Sequence, residues 1–295
     1  MSICCWIAVS ALASAPLAWG QSLKVYSEFQ RIDPFGEVVH IDRTERHREI
    51  LSPAAARNAH ISFHLAVTIP EGVPSFLYIQ QNPEHVNVTM YKELFVRTKE
   101  GWIPDGLEKV EIPYFLILPG QSPIPKQNTL VFCMDVWVPS ETPVERMRLE
   151  AVLKSGGQWI VYPMELRVMA AVAPAIRWAP GPVPPLTARA DVSLAGPLRT
   201  LLCGAREKGS TSALTVRQLI RRNVLEDVAL ARKLGVKQEI LRRLEPSWCE
   251  LRDAPSTQSP EWYLPLRSFL IQKANVLEKQ NVPAGSGNSR RSPSQ

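Results

Sequence analysis

The chain has 295 residues, 45% apolar and 21% charged, with 26 prolines against 15 glycines. That length suits one large domain or two modest ones, and the composition is that of an ordinary globular protein, but the proline load argues against a chain built from long helices. The net charge of +6 divides unevenly, because residues 22–170 carry net −3 and residues 171–295 net +9. Such asymmetry implies either an acidic partner for the basic half (anionic lipid, nucleic acid or the first half itself) or solvated arginines on exposed helices.

Residues 3–19 form an uncharged apolar run, with small residues Ala18 and Gly20 at the positions a signal peptidase reads. Residues 1–20 are therefore expected to be a signal peptide, and the mature chain an exported, periplasmic or extracellular protein without a transmembrane segment. A single membrane anchor is the alternative, for which Pro16 and the alanines make a poor span. Cleavage would remove Cys4 and Cys5 and leave Cys133, Cys203 and Cys249. Cys203 and Cys249 flank a helical run and are the disulfide candidate in an oxidising compartment. Cys133 lies in an apolar strand, where a cysteine is usually a small buried hydrophobe.

From residue 22 to 170 the dominant period is two, which sends alternate side chains to opposite faces of a strand. In residues 59–69, Ala59, Ile61, Phe63, Leu65, Val67 and Ile69 share one face while His60, Ser62, His64 and Thr68 share the other, the pattern of a strand with one face in water. Strands are predicted at 76–80 and 86–98, separated by a turn at Asn82-Pro83. Residues 129–138 alternate again, with Leu130, Phe132, Met134, Val136 and Val138 opposite Cys133, Asp135 and Trp137. Strands at 147–154 and 159–169 flank Ser155-Gly156-Gly157-Gln158, a tight hairpin. Short strands with proline-rich turns predict a mainly β fold, an antiparallel β-sandwich of seven or eight strands.

Residues 171–190 hold Pro174, Pro180, Pro182, Pro184 and Pro185 and read as an extended linker. A helical segment is expected over 191–280. Its first helix uses Val216, Leu219, Ile220, Val224, Val228, Ala231 and Leu234 and ends at Gly235. A second is placed at 236–244, and a third at 262–279 on Leu266, Phe269, Leu270, Ala274 and Leu277. The tail 281–295 is expected to be disordered.

Motifs with chemical meaning are sparse. Residues 204–211 hold two glycines at phosphate-loop spacing, but Lys208 precedes the second glycine, where Lys would have to follow it to reach a phosphate. Residues 228–244 have helix-turn-helix spacing, which would turn Lys237, Gln238, Arg242 and Arg243 to DNA; export argues against it. Arg221, Arg222, Lys237, Arg242 and Arg243 are instead taken as a basic partner face. His60 and His64 share a strand face but stand roughly 13 Å apart, too far to share an ion, so neither a metal nor a cofactor is expected. His40 and His47 flank a charged stretch that reads as a solvated loop. No nucleophile elbow or His-Glu-x-x-His occurs, and a secreted hydrolase would have to use scattered carboxylates such as Asp33, Asp105 and Asp135.

Trp102, Tyr114, Trp137 and Trp159 are the candidate ligand-binding residues, because aromatic rings give a large contact area with a polar edge. The functional expectation is a non-catalytic exported binding or assembly module that presents a sandwich to a protein or glycan at the cell envelope.

Residues 135–143, Asp-Val-Trp-Val-Pro-Ser-Glu-Thr-Pro, followed by Arg148-Leu149-Glu150-Ala151-Val152-Leu153 and Tyr162-Pro163-Met164-Glu165-Leu166-Arg167-Val168, resemble the closing strands of bacterial immunoglobulin-like modules of secreted and cell-surface proteins. The resemblance covers about residues 129–169 and implies that the sandwich is immunoglobulin-like; it carries over no catalytic or ligand residue.

Overall fold

The computed structural model describes residues 20–39, 42, 52–98, 101–118, 123–176, 214–236 and 263–280. Among these residues ten strands and two helices occur in the order β1 (Ser22–Ser27), β2 (Ala54–Arg57), β3 (Ala59–Thr68), β4 (Ser75–Asn82), β5 (Asn87–Thr98), β6 (Gly101–Val110), β7 (Tyr114–Leu116), β8 (Thr129–Val138), β9 (Arg146–Ser155), β10 (Gln158–Val172), α1 (Val216–Lys233) and α2 (Tyr263–Gln280). The strands form two five-stranded sheets, β1-β3-β8-β5-β6 and β2-β10-β9-β4-β7. This is the expected sandwich, with more strands than the seven or eight predicted. Short β2 joins the edge of the second sheet parallel to β10 and is the exception to antiparallel pairing.

Alternation builds the core. On β3 and β8, Phe63 stands opposite Met134 and Leu65 opposite Phe132, all buried. Their inner faces meet Leu149, Leu153, Leu166 and Val168 of the second sheet in one apolar cluster. The hairpin between β9 and β10 turns on Gly156 and Gly157 alone, at φ 53° and 85°, between the paired residues Ser155 and Gln158. Two consecutive positive φ values define the turn whose twist matches the strands, and glycine adopts them without a Cβ clash.

The other face of β3 departs from the expectation of a solvated polar surface. Ser62 and His64 are buried, because α1 lies across this face. Apolar residues at three- and four-residue spacing make α1, and Thr215 caps it: its hydroxyl accepts from the Gln218 N–H while the Gln218 side chain accepts from the Thr215 N–H. At the far end Gly235, at φ 66°, donates to Arg232 O, and Val236 donates to Ala231 O, closing the helix with a Schellman motif. Leu107 N of β6 donates to Leu214 O, pinning the start of α1 to the edge of the first sheet.

Under α1, Val216, Leu219, Ile220, Val224, Val228 and Ala231 pack with Phe29, Leu107 and Cys133. Helix α2 packs along β10: Leu270 joins the α1 cluster, Ile271 and Ala274 meet Ala54, Ala171 and Leu230, and Ala170 N donates to Asn275 Oδ1. Phe269 and Leu277, expected in the packed face of this helix, are exposed, because Ile271 rather than Phe269 turns to the strand. Both described helices thus rest on the sandwich that the sequence separates from them by a linker. The proposed second helix, Cys203, Cys249, Lys237, Arg242 and Arg243 lie outside the described residues, as do residues 1–19 and 281–295.

Candidate functional site

The two outer faces of the sandwich differ in chemistry. The first is a buried ionic seam beneath α1. Arg217 donates to Asp105 at 2.8 Å, and Arg222 to Asp135 at 2.6 Å. Asp135 also accepts from Ser62 at 2.7 Å, and Ser62 in turn accepts from Asn223 at 2.9 Å. Glu28 accepts from both Asn223 and Arg267, and Arg267 reaches on to Asp227 at 2.6 Å. Glu226 holds the two ends of His60, accepting from its backbone N–H at 2.7 Å and meeting its Nδ1 at 2.7 Å.

The charge asymmetry of the sequence acquires a structural meaning here. Arg217, Arg222 and Arg267 come from the basic half, whereas Asp105, Asp135 and Glu28 come from the acidic half. For these arginines the acidic partner is the sandwich itself. Arg222, placed by the sequence on a basic partner face, is turned inward and 6% exposed; Arg221 beside it is half-buried. Such pairs contribute little net stability over apolar residues, but removing one partner strands a buried charge, so they fix where the helix sits.

Deeper in the seam, His64 Nδ1 lies 2.6 Å from Glu93 Oε1, and Nε2 lies 3.0 Å from Glu28 O. Burial alone would lower the His64 pKa, but the Glu93 charge and hydrogen bond, with Glu28 O and Asp42 adding, raise it overall. Cys133 stands opposite His64 in register, and burial, reinforced by Glu93 and Asp135, pushes its thiol well above 9.0. A thiol held protonated and closed over by a helix is not an activated nucleophile. The carboxylates considered for hydrolysis are equally engaged: Asp105 and Asp135 in ion pairs, and Asp33 in accepting the N–H groups of Phe35 and Glu37, both at 2.9 Å.

The second sheet presents the opposite picture. On its outward face Trp159 of β10, Lys154 of β9, Phe76 of β4 and Phe115 of β7 lie in register across four strands. At strand spacing this row spans roughly 14 Å. One row on, Val161, Val152 and Tyr78 are aligned, while Ile117 flanks Phe115 on the opposite side of the aromatic row, toward the Gly156-Gly157 turn. Trp159 is 56% exposed, Phe115 49% and Phe76 41%. Phe76 meets Phe115 edge to face at 5.1 Å between centroids, Tyr78 meets Trp159 likewise at 6.2 Å, and Lys154 Nζ stands 5.1 Å over the Trp159 ring.

The four aromatic residues singled out from sequence do not converge. Trp159 joins the outer face of the second sheet. Tyr114 turns inward, packing edge to face on Phe132 at 5.4 Å. Trp102 is half-buried on β6 beneath Arg97, and Trp137 stands on β8 of the first sheet, exposed and stacked on His60 at 6.3 Å. Phe76, Tyr78 and Phe115 were missed. Their signal was present: residues 76–79, 114–118 and 159–162 are apolar or aromatic on both strand faces, although one face suffices for the core.

No family of known proteins matches the chain, and neither does any curated protein. Solved structures with a similar arrangement include a family 123 glycoside hydrolase from Clostridium perfringens, 7% identical over 52% of this chain and 28% of that one, TM-score 0.37. The C-terminal domain of the Streptococcus agalactiae AgI/II polypeptide BspA is 7% identical over 50% of each chain, TM-score 0.28. A non-cellulosomal cohesin from Archaeoglobus fulgidus is 13% identical over 40% of this chain and 86% of that one, TM-score 0.19. The chain thus spans half or less of the first two, and likeness at this level carries no function. No described helix is long and apolar enough to cross a membrane.

Proposed function

We propose that the chain is an exported, non-catalytic binding or assembly module, and that it engages a partner at the cell envelope through the outer face of its second sheet. The apolar segment at residues 3–19 supports export. One observation carries the binding reading: Phe76, Phe115, Ile117, Trp159 and Val161 are exposed on one face, whereas α1 covers most of the equivalent face of the first sheet and leaves Trp137 exposed at its end. Folded monomers rarely leave a contiguous apolar patch in water unless something docks on it. Aromatic anchors with aliphatic neighbours are the composition of a protein interface core.

A photo-crosslinking amino acid at position 115, introduced into the chain in its own cells, tests this. It should give a discrete crosslinked product that is absent when the same group replaces Val144, which is as exposed but lies off the face. Equal crosslinking from both positions, or none from 115, would remove the reading.

A further inference from the structure

Resting on that reading, the chemistry of the face also narrows its occupant. We infer that the face takes a short protein segment carrying aliphatic side chains and a carboxylate, with the carboxylate placed on Lys154. Three observations lead there.

The first is relief. Phe76 and Phe115 are inclined at 63°, and Tyr78 and Trp159 at 87°, so the rings form ridges and notches rather than a plane. A sugar ring stacks on an open, flat aromatic face, and Trp159 already carries the Lys154 ammonium over its ring. Notches between rings suit branched aliphatic side chains.

The second is the poverty of hydrogen-bonding groups among the rings. Val161 and the buried Val152 continue the face beside Tyr78, and Ile117 flanks Phe115 on the other side of the row, leaving the Tyr78 hydroxyl and the Lys154 ammonium as the polar groups there to match sugar hydroxyls. The third is charge. On the same face Arg148 is paired with Glu150, and Arg146 with Glu165 at 3.1 Å. Lys154, in the centre of the aromatic row, is paired with no carboxylate among the described residues, and an acidic side chain on a docking segment would supply one. A charge partly walled by rings exerts its attraction in a medium poorer in water than the open surface, which favours a partner carboxylate at that point.

The test pans a phage-displayed library of random 12-residue peptides on the immobilised full chain, then measures the selected peptide, fluorescently labelled, by anisotropy. The expected consensus has two or more aliphatic or aromatic positions and an Asp or Glu. Lys154→Glu should weaken that peptide at least tenfold, and a peptide with its acid changed to Lys should recover on the Lys154→Glu variant. A consensus without acid, or unchanged affinity in Lys154→Glu, overturns the inference; if Trp159→Ala and Phe115→Ala still abolish binding, the face remains a recognition surface. Peptides that bind all variants equally bind elsewhere and take down both readings. No enrichment, combined with Trp159-dependent retention on insoluble polysaccharide or phosphatidylglycerol vesicles, overturns the protein partner in favour of glycan or lipid.

Discussion

Arg222 of α1 donates to Asp135 of β8 at 2.6 Å, with both side chains buried between helix and sheet. The pair joins the two oppositely charged halves of the sequence and sets where α1 lies. Replacing Arg222 by Leu should cost about 3–5 kcal/mol, because the Asp135 carboxylate stays buried without its counter-charge. Adding Asp135→Leu should restore at least half of that loss. Urea unfolding of the three variants decides it; a harmless single substitution would mean the seam does not hold the helix.

The core and the outer aromatic face should respond differently to the same truncation. Phe132 is wholly buried, so Phe132→Ala should destabilise by about 3–5 kcal/mol. Phe115→Ala removes a half-exposed ring and should stay within about 0.5 kcal/mol. A large loss of stability at Phe115 would make that residue part of the core rather than of a docking face.

Because the pKa of folded His64 is raised, the protonated form paired with Glu93 stabilises the fold. The sign follows from linkage: the contribution is complete below the unfolded value of about 6.5 and is lost as pH rises through the higher folded value. The difference in urea midpoint between the parent and Glu93→Gln should therefore shrink on going upward through that window. A difference that grows with pH would contradict the charged pair.

The Gly156-Gly157 turn separates conformational strain from crowding. A Cβ on Gly157 meets nothing within 4 Å, so Gly157→Ala should cost about 1–2 kcal/mol through its positive φ alone. Gly156→Asn should be nearly neutral, since Asn-Gly suits this turn. Thermal melting of both variants gives the comparison.

Cys133 should resist alkylation by iodoacetamide until the chain is unfolded, given its burial and raised pKa. The same peptide map, made without reductant on protein from an oxidising compartment, should show Cys203 joined to Cys249. Alkylation of Cys133 in the native chain would show that α1 opens readily; free thiols at 203 and 249 would end the proposed disulfide.

The strands were legible because alternation is a local signal. Ile61, Phe63 and Leu65 point one way whatever lies above them, and Gly156-Gly157 names its own turn. Helix α1 was legible for the same reason, through its spacing and its glycine stop. What lay above each sheet was not legible, since a polar face such as Ser62, His64 and Asp135 looks identical whether it meets water or three arginines from residues 217–267. Pairing across more than a hundred residues leaves no local trace beyond the opposite charges of the two halves. The aromatic row failed for a related reason. Trp159 was conspicuous alone, but its neighbours Phe76 and Phe115 come from distant strands, and only the β10-β9-β4-β7 order brings them together.

Hydroxyl-radical footprinting of the full chain, purified and then in intact cells, reads both outer faces at once. Phe76, Phe115 and Trp159 should be oxidised heavily in the isolated protein and become protected in the cell, while Phe29 and Leu107 under α1 stay protected throughout. Equal oxidation of the three aromatic residues in both settings, or their protection in the isolated chain, would contradict a sandwich that closes one face with its own helix and keeps the other for a partner.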